Sequence, residues 1–397
     1  MNKGSRVRVY PTEEQEKLLK QELGNQRFLW NKFLWLNIKY HKKTGKFKFY
    51  NDMCKELPKF KEKYSFLKIG NSQSLQQTLK DLDKALKACF RNKAIGFPKF
   101  KKKNSTDSCR IPQHFKLNRK KSLLKLPGYK ILKVRGILPE KEETIKNITL
   151  IRDCDKWYAS LCIEFTPKPL KKTGKNIGLD VGSNRLYTSN DGNYIVSFKD
   201  LRYVKKAVIK LKTMQRGLSN KFECWKQRTG RKKLNKNEIV SNSYEKCKLK
   251  LQKCHKLIRD MRKDYLHQKT TSIVKNYDLI VVEDLNIKKM TKSIKGNKEN
   301  PGNGVKIKQS LNRNLLDNGL GMFFSLLKYK CEWYGKELKE VPPFFTSQKC
   351  HRCENIDPKN RSKVDVSKFK CIKCGLLLNA DHNAAINILY LGIAALN

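Results

Sequence analysis

The sequence predicts a multidomain α+β protein. A small β-sheet with a helical insertion is expected first, followed by a mixed α/β sheet and a metal-binding ribbon. Three observations support this prediction: helical periodicity near the N-terminus, two separate β-rich regions, and two Cys-x-x-Cys pairs near the C-terminus. At about 100–200 residues per domain, the 397 residues are enough for two or more domains. A hydrophobic content of 39% is enough to build packed cores.

The charge of the chain narrows the classes of function. Lys and Arg number 88 against 36 Asp and Glu, which gives a formal net charge of +52. A folded protein with this excess repels itself unless it binds an anionic partner, so we expect nucleic acid rather than a small neutral substrate. The sequence shows neither a signal segment nor the roughly 20 apolar residues of a membrane span. An intracellular protein with no membrane partner is therefore expected.

The N-terminal region is expected to form one strand followed by helices. Residues 6–10 alternate as in a strand until Pro11 interrupts them. Thr12, with acidic residues directly after it, is typical of a helix N-cap. Further on, four leucines recur at the i, i+4, i+7 and i+11 spacing of a buried helix face. They are Leu75, Leu79, Leu82 and Leu86.

A region of lysine-rich turns and short β-like runs follows from residue 100. The runs lie at residues 131–134, 148–151 and 157–165. They predict a small, twisted and partly closed sheet. We expect the strand at residues 6–10 to join this sheet, which makes the helical region an insertion.

The second half of the chain is expected to contain a mixed α/β sheet. Strands are predicted at residues 176–181 and 279–282, a hairpin at 186–198 and a helix at 315–334. The strand at 279–282 is entirely apolar and is expected to be buried.

Residues 201–270 are unusually basic. They carry 22 Lys and Arg against five Asp and Glu, and they predict two long helices that break near Thr229 and Gly230. A solvated helical face is one interpretation of such a segment. Because the excess is too one-sided for mutual salt bridges, a surface for backbone phosphates is the favoured interpretation.

Two Cys-x-x-Cys pairs near the C-terminus have the spacing of a zinc ribbon. Seventeen residues separate the pairs, and a short hairpin is expected between them. Four thiolates complete the coordination of zinc, so the ion is predicted to be structural, and His351 inside the first pair is not needed as a ligand. The four predicted ligands are Cys350, Cys353, Cys371 and Cys374.

Acidic residues stand at three positions where an isolated charge is costly. Asp180 lies near the end of one predicted strand, Glu283 and Asp284 follow another, and Asp381 begins an apolar helix. Each alone has an ordinary explanation as a turn, strand-end or helix-start residue. Together they match the way a ribonuclease H-like nuclease holds two magnesium ions, with carboxylates from two strands and one helix.

Eight segments, spread over nearly the full length, carry a resemblance to a known family. They are residues 8–11, 13–15, 75–83, 96–101, 178–182, 281–285, 346–350 and 381–387. On these segments the chain resembles the TnpB family, which comprises transposon-encoded RNA-guided DNA nucleases related to the type V CRISPR effectors. Two positions depart from the family pattern: Glu354 stands where glycine is common, and Asn379 stands where an acid is common.

The resemblance implies a fold and a set of ligands. It implies a wedge-like β-barrel domain with a helical recognition insertion, and a RuvC (ribonuclease H-like) nuclease domain that the zinc ribbon interrupts. It also implies that Asp180, Glu283 and Asp381 are the catalytic acids and hold two Mg²⁺ ions, for which Mn²⁺ can substitute; Glu283 is preferred over Asp284 on the family pattern. The implied domains are the wedge (1–10 and 96–170), the recognition domain (11–95), the RuvC domain (171–346 and 376–397, with a basic insertion at 201–275) and the zinc ribbon (347–375).

The resemblance further implies the partners. The protein would bind a transposon-derived guide RNA, recognise a short target-adjacent motif and cut double-stranded DNA with one nuclease site. One protein per guide RNA is expected, with a dimer as the alternative. The resemblance also implies a cytoplasmic, nucleoid-associated protein of a prokaryote. Candidate nucleic-acid contacts include glutamines, whose amides can pair with adenine in the major groove. The candidates are Gln76, Gln77, Tyr10, Ser108, Lys99 and Lys101.

Several alternatives remain at this point. For Tyr10, Phe97 and Phe100, stacking on bases is one role and core packing is the favoured one. A miniature type V CRISPR effector shares the chemistry and differs in the source of its guide. A guide-dependent repressor that no longer cuts is expected to lack one or more of the acids. A plain zinc-ribbon RNA-binding protein leaves the acids unexplained.

Overall fold

A computed structural model describes residues 1–103, 106–128, 131–140, 142–235, 238–292, 294, 304–362 and 365–395. The chain divides into two compact units, residues 1–166 and 167–397. The boundary lies close to residue 171, where the sequence predicts that the nuclease domain begins; the finer domain division stays a prediction. Within the described residues, no helix is both long and apolar enough to cross a membrane.

The first unit starts with a strand and three helices. Thr12 caps the first helix in a capping box with Gln15, as the local sequence predicts. The four leucines spaced along the third helix are completely buried, so the predicted periodic face is confirmed. These elements are β1 (Asn2–Tyr10), α1 (Glu13–Thr44), α2 (Tyr50–Lys63) and α3 (Ser72–Arg91).

Seven strands form one antiparallel sheet in the described part of this unit, in the order β2-β6-β7-β1-β5-β4-β3. Strand β1 lies between β7 and β5, so the predicted pairing of the first strand with the later ones is found. Strands β2 and β3 stand at the two ends of that order, and the closed barrel stays a prediction. The further strands are β2 (Thr106–Ile111), β3 (Lys116–Asn118), β4 (Leu123–Lys125), β5 (Leu132–Arg135), β6 (Thr144–Asp153) and β7 (Lys156–Glu164).

The second unit is built on a five-stranded mixed sheet in the order β10-β9-β8-β11-β12. Strand β11 pairs in parallel with β8 and with β12, whereas β9 and β10 are antiparallel neighbours. The predicted hairpin is formed by β9 and β10, and Gly192 in its turn has a φ of +77°. The strands are β8 (Asn176–Asp180), β9 (Arg185–Ser189), β10 (Tyr194–Val196), β11 (Leu279–Glu283) and β12 (Glu337–Val341).

Helices of the second unit match the predicted ones in part. The basic region forms two helices, and Gly230 ends the first in the left-handed conformation. The helix predicted at 315–334 is wrong in its start, because a longer helical region is broken at Gly319, also left-handed. The helices are α4 (Arg202–Thr229), α5 (Asn242–Asn276), α6 (Ile287–Met290), α7 (Val305–Asn318), α8 (Leu320–Tyr334) and α9 (Ala380–Ala394).

The mixed sheet is buried on both faces. Residues Ile177, Leu179 and Val282 point into a core shared with α5 and α8. On the opposite face Val281 packs with apolar residues of α9. Helix α9 therefore lies directly against the two central strands, β8 and β11.

Candidate functional site

The three predicted acids are brought together by two strand ends and one helix start. Asp180 is the last residue of β8, and Glu283 is the last residue of β11. These strands are parallel neighbours with Leu179 opposite Val282, so both carboxylates follow at the same edge of the sheet. Asp381 lies in the first turn of α9, and all three residues line one cavity of about 530 Å³.

Glycines allow this close arrangement of helix and strand. A Cβ atom on Gly178 would lie 2.3 Å from the carbonyl oxygen of Ala385 and 2.8 Å from Cβ of Leu389. A Cβ atom on Gly392 would lie 2.4 Å from Cγ2 of Val281. Because only glycine leaves this space, α9 can approach β8 and β11 and place Asp381 beside the other two acids.

The carboxylates repel one another in a buried setting. Burial raises the pKa of Asp180, the negative charges of Asp381 and Glu283 raise it further, and it reaches about 7. Burial also raises the pKa of Glu283, although a hydrogen bond from Thr346 opposes the shift. A bound cation would favour the charged form of these buried carboxylates and would offset the repulsion that Asp180 experiences.

Two arginines line the same cavity. They are Arg185, whose guanidinium stacks 4.0 Å over the Tyr194 ring, and Arg361 of the ribbon. The positive charge of Arg361 lowers the pKa of Asp180 and opposes the burial effect. Neither arginine was predicted from the sequence, because nothing in its local pattern distinguishes it from the many other basic residues.

The side chains of Asp284 and Glu283 line different cavities. Asp284 lines a separate groove with Met290 and Phe344, whereas Glu283 faces Asp180 and Asp381 in the first cavity. The difference follows from strand alternation, which sends successive side chains to opposite sides. The geometry therefore groups Glu283, not Asp284, with the other two acids.

Polar residues outside the predicted set hold the loops around the acids. Completely buried Asn318 donates to the carbonyl oxygens of Gly182 and Ser183 at 3.1 and 3.0 Å, which fixes the loop after β8. Thr346 donates its hydroxyl hydrogen to Oε1 of Glu283 at 2.5 Å. These partners are far apart in sequence, so no spacing rule could have found them.

The departure at Asn379 has a structural explanation. Asn379 is the N-cap of α9, and its side-chain oxygen accepts from the backbone N–H groups of Asp381 and His382. His382 lies beside the acid with its Nε2 2.9 Å from the carbonyl oxygen of Asn190, and its ring packs against Gly192. It therefore holds the β9–β10 turn against α9.

The four cysteines form a cluster that can hold a zinc ion. Their sulfur atoms all lie within 4.8 Å of one another, with Cys350–Cys374 at 3.7 Å and Cys353–Cys371 at 3.4 Å. Tetrahedral coordination at a Zn–S distance of about 2.3 Å requires sulfurs nearly 4 Å apart, so the spacing fits. Among the described residues, no other group of three or more possible ligands is this compact.

The contacts of His351 and the strands of the ribbon can be compared with the prediction. The ring Nδ1 of His351 lies 2.9 Å from Oδ1 of Asn383, so this residue contacts α9 and not the sulfur cluster. Between the two cysteine pairs, Arg361 and Phe369 form an isolated antiparallel bridge, which agrees in part with the short hairpin predicted there. A second hairpin spans the second cysteine pair. It is formed by β13 (Lys368–Lys370) and β14 (Leu377–Asn379).

Protein purified without added metal is expected to contain about one zinc per chain, because four thiolates complete the coordination of one ion. Burial raises the pKa of Cys371, but backbone N–H groups of Cys374 and Lys373 and the neighbouring thiols lower it to about 6, which favours the thiolate. Elemental analysis measures the content. Four freely titrating ribbon thiols in metal-free protein would contradict the site.

Replacing Glu354 by glycine is expected to tighten zinc retention. Glu354 has a φ of +60° and its N–H donates to the carbonyl oxygen of Cys350, in the same way that Gly375, at +72°, follows the second cysteine pair. A non-glycine residue in this conformation costs about 1 kcal/mol, which corresponds to roughly fivefold in zinc affinity. Competition with a chelator measures the change, and Gly375→Ala is expected to weaken retention. Equal zinc retention by wild type and Glu354→Gly would contradict the argument.

Three of the six predicted nucleic-acid contacts share one groove in the first unit. Lys99, Lys101 and Ser108 line a groove of about 500 Å³ together with Arg27. The Lys101 ammonium lies 3.8 Å from the centre of the Trp30 ring, and Phe100 also lines the groove. This arrangement provides positive charge and polar groups on one surface.

The other three predicted contacts lie elsewhere in the first unit. Gln76 is exposed on α3, and the amide of Gln77 donates to Asp81 at 2.8 Å. Tyr10 is 47% exposed, and Phe97 and Phe100 are 40% and 50% exposed. The favoured core-packing interpretation is therefore wrong for these three aromatic residues.

Comparisons with known proteins agree with the motifs. Residues 160–294 match a family described as "probable transposase", residues 321–388 match a Cas12f1-like TNB domain, and residues 1–46 match a helix-turn-helix domain. In this structure residues 1–46 form β1 and the single helix α1.

Relatives that align over nearly the whole chain show its family. A protein of Escherichia coli (strain K12) named "Putative RNA-guided DNA endonuclease InsQ" is 36% identical over 394 residues, which cover 98% of this chain and 92% of that protein. A protein of the same description from Streptomyces pristinaespiralis is 29% identical over 397 residues, which cover 98% and 89%. A structure of CasPhi-2 bound to crRNA and phosphorothioate-DNA aligns with 99% of this chain and 91% of its own at 13% identity, with a TM-score of 0.44. On the identity to InsQ over nearly the whole of both chains, this protein belongs to the TnpB family.

Proposed function

We propose that this protein is an RNA-guided DNA endonuclease that cuts with a two-metal carboxylate site. One observation carries the proposal: Asp180, Glu283 and Asp381 come from three separate segments and line one cavity. A relative with 36% identity over almost the whole chain is named for the same activity.

The donor set fits divalent cations. Buried, mutually repelling carboxylates are the oxygen ligands that Mg²⁺ and Mn²⁺ prefer. Each carboxylate offers two oxygen atoms, so the three acids together provide up to six oxygen ligands. When bound, such ions activate a water molecule and stabilise the leaving oxygen in phosphodiester hydrolysis.

The arginines of the cavity are suited to a DNA phosphate. A guanidinium can donate two parallel hydrogen bonds to phosphate oxygens. We assign this role to Arg361, whose charge already opposes that of Asp180, and to Arg185, which lines the same cavity. Thr346 holds Glu283 in place with a hydrogen bond from its hydroxyl group.

The basic charge provides the nucleic-acid surfaces. Helices α4 and α5 pack against each other and carry most of the excess charge of residues 201–270, which suits a guide RNA or its DNA hybrid. The groove of Lys99, Lys101 and Ser108 suits the duplex beside the target, with Gln76, Gln77 and Tyr10 as further contacts. The domain division predicted from the sequence is part of this proposal.

Purification with bound RNA provides the test. The RNA that co-purifies with the full-length protein is sequenced, and a DNA duplex matching its guide segment, with randomised flanks, is offered as substrate. Cleavage is expected with Mg²⁺ and is expected to disappear with EDTA or with a mismatched guide. Absence of metal-dependent cleavage from every matched duplex would overturn the proposal.

A further inference from the structure

We propose that Thr346 is a positioning residue for Glu283, and that the zinc ribbon sets this position through the segment of residues 346–351. Loading of the ribbon with zinc would then control how tightly the carboxylate site binds its divalent cations. The inference rests on the proposed function, because it assigns Glu283 to the metal site.

The contact between Thr346 and Glu283 is short and sheltered. Thr346 is 5% exposed, and its Oγ1 donates to Oε1 of Glu283 at 2.5 Å. Both residues line the cavity that holds Asp180 and Asp381. A hydroxyl that donates to one oxygen of a carboxylate fixes its rotation, and partners of this kind tune metal affinity in other sites.

Helix α9 holds the segment that carries Thr346. The buried amide of Asn387 donates to the carbonyl oxygens of Thr346 and Lys349 at 2.8 and 2.7 Å. The amide of Asn383, also buried, donates to the carbonyl oxygen of Lys349 at 2.8 Å. Buried polar groups are costly to leave without partners, so these hydrogen bonds hold the segment to α9.

The same segment ends in the zinc ribbon. Oδ1 of Asn383 accepts from the backbone N–H of His351 at 3.2 Å and faces its ring Nδ1 at 2.9 Å. Cys350, the first sulfur of the cluster, lies between Lys349 and His351 and is completely buried. The four residues from Thr346 to Lys349 thus join a carboxylate contact directly to a zinc ligand, with α9 as their support.

These contacts give a physical route from zinc to the acids. Without zinc the four sulfur atoms are no longer tied to one ion, and the chain around Cys350 loses this constraint. The carbonyl groups of Thr346 and Lys349, held by α9, precede Cys350, and the N–H of His351, held by Asn383, follows it. Movement there is expected to reach the Thr346 hydroxyl and release Glu283.

A pair of substitutions tests the role of Thr346. Thr346→Val keeps the shape and removes the hydroxyl, whereas Thr346→Ser keeps the hydroxyl. Mn²⁺ binding is measured by electron paramagnetic resonance on full-length, zinc-loaded protein freed of RNA, with Asp180→Asn defining binding outside the site. We expect Thr346→Val to weaken Asp180-dependent binding about 10–100-fold and Thr346→Ser to stay close to wild type.

The outcomes separate this inference from the proposed function. Equal Mn²⁺ affinity of wild type and Thr346→Val would overturn the role of Thr346 while leaving the metal site in place. No Asp180-dependent binding in the wild type would overturn both proposals. Zinc content and thermal melting of Thr346→Val show whether the variant is folded.

A second measurement tests the zinc coupling. Zinc is removed from the wild-type protein with a thiol-competing chelator, and Mn²⁺ binding is measured before and after one equivalent of zinc is restored. We expect Mn²⁺ affinity to fall about tenfold or more without zinc and to return with it. An affinity that does not depend on zinc would overturn the coupling.

Discussion

Replacing Asp180 by asparagine is expected to abolish cleavage of a guide-matched DNA duplex while guide RNA binding is kept. The carboxylate ends the central strand β8 and is the acid whose pKa responds to both other acids. Metal ions supply several kcal/mol of transition-state stabilisation, so losing this ligand should slow cleavage about 10³-fold or more. Single-turnover cleavage at saturating Mg²⁺, with RNA content measured on the same preparation, gives the result.

Asp284→Asn provides a matched control for this loss. Asp284 adjoins Glu283 in sequence but lines a different groove, so its replacement removes one negative charge without touching the acid cavity. Cleavage by Asp284→Asn is expected to stay close to that of the wild type. Wild-type cleavage by Asp180→Asn would contradict the assignment of the site.

Asp180→Asn is expected to stabilise the metal-free protein above neutral pH. The pKa of Asp180 is raised from 3.8 to about 7, so between these values the folded state holds a proton that the unfolded state has lost. Wild-type stability therefore falls as the pH rises through this window, by up to about 4 kcal/mol. In EDTA the Asp180→Asn variant should melt higher than the wild type at pH 8, and the difference should shrink towards pH 4.

The acids and cysteines could be predicted because their signals are local. Glu283 follows a run of completely buried apolar residues, and such a run makes a charge at its end conspicuous. Cys350 and Cys353 repeat the spacing of Cys371 and Cys374, which one tetrahedral ion explains. Local pattern, together with the family motifs, was therefore enough to place these residues.

The supporting residues could not be predicted because their partners are distant. Thr346 lies 63 positions from Glu283, and Asn318 lies 135 positions from Ser183. A threonine or asparagine in a polar segment is ordinary until the fold brings a buried acceptor to it. The break at Gly319 is similar, since it coincides with the close approach of Arg262 and Leu266 from α5.

The exposed aromatic residues were predicted wrongly for a different reason. The general tendency of large apolar side chains to be buried predicts a core position for Tyr10, Phe97 and Phe100, but all three are exposed. Each instead lies at the end of an element or in a loop of the first unit. An exposed ring in a basic protein is a candidate for stacking on bases, which the sequence pattern alone could not establish.

Gly178→Ala is expected to slow cleavage about 100-fold in a protein that still folds. Its Cβ would lie 2.3 Å from the carbonyl oxygen of Ala385, so α9 must retreat by at least about 0.7 Å to reach even the 3.0 Å that real contacts require. Asp381 lies one turn away on that helix and moves with it. Misplacement of a catalytic group by about 1 Å typically costs two orders of magnitude in rate. Gly321→Ala, whose Cβ meets nothing within 4 Å, is the control and should cleave like the wild type.

Gly392 provides a second test of the close contact between α9 and the sheet. At Gly178 the obstructing atoms include the backbone of Ala385 and Leu389, so no side-chain truncation on α9 can restore the fit. At Gly392 the obstructing atoms are the methyl groups of Val281, at 2.4 and 2.5 Å. Gly392→Ala should therefore also slow cleavage, and adding Val281→Ala should recover part of the lost rate, a coupling that a double-mutant cycle measures. Full activity of both single variants would show that the close approach of α9 to the sheet does not place Asp381.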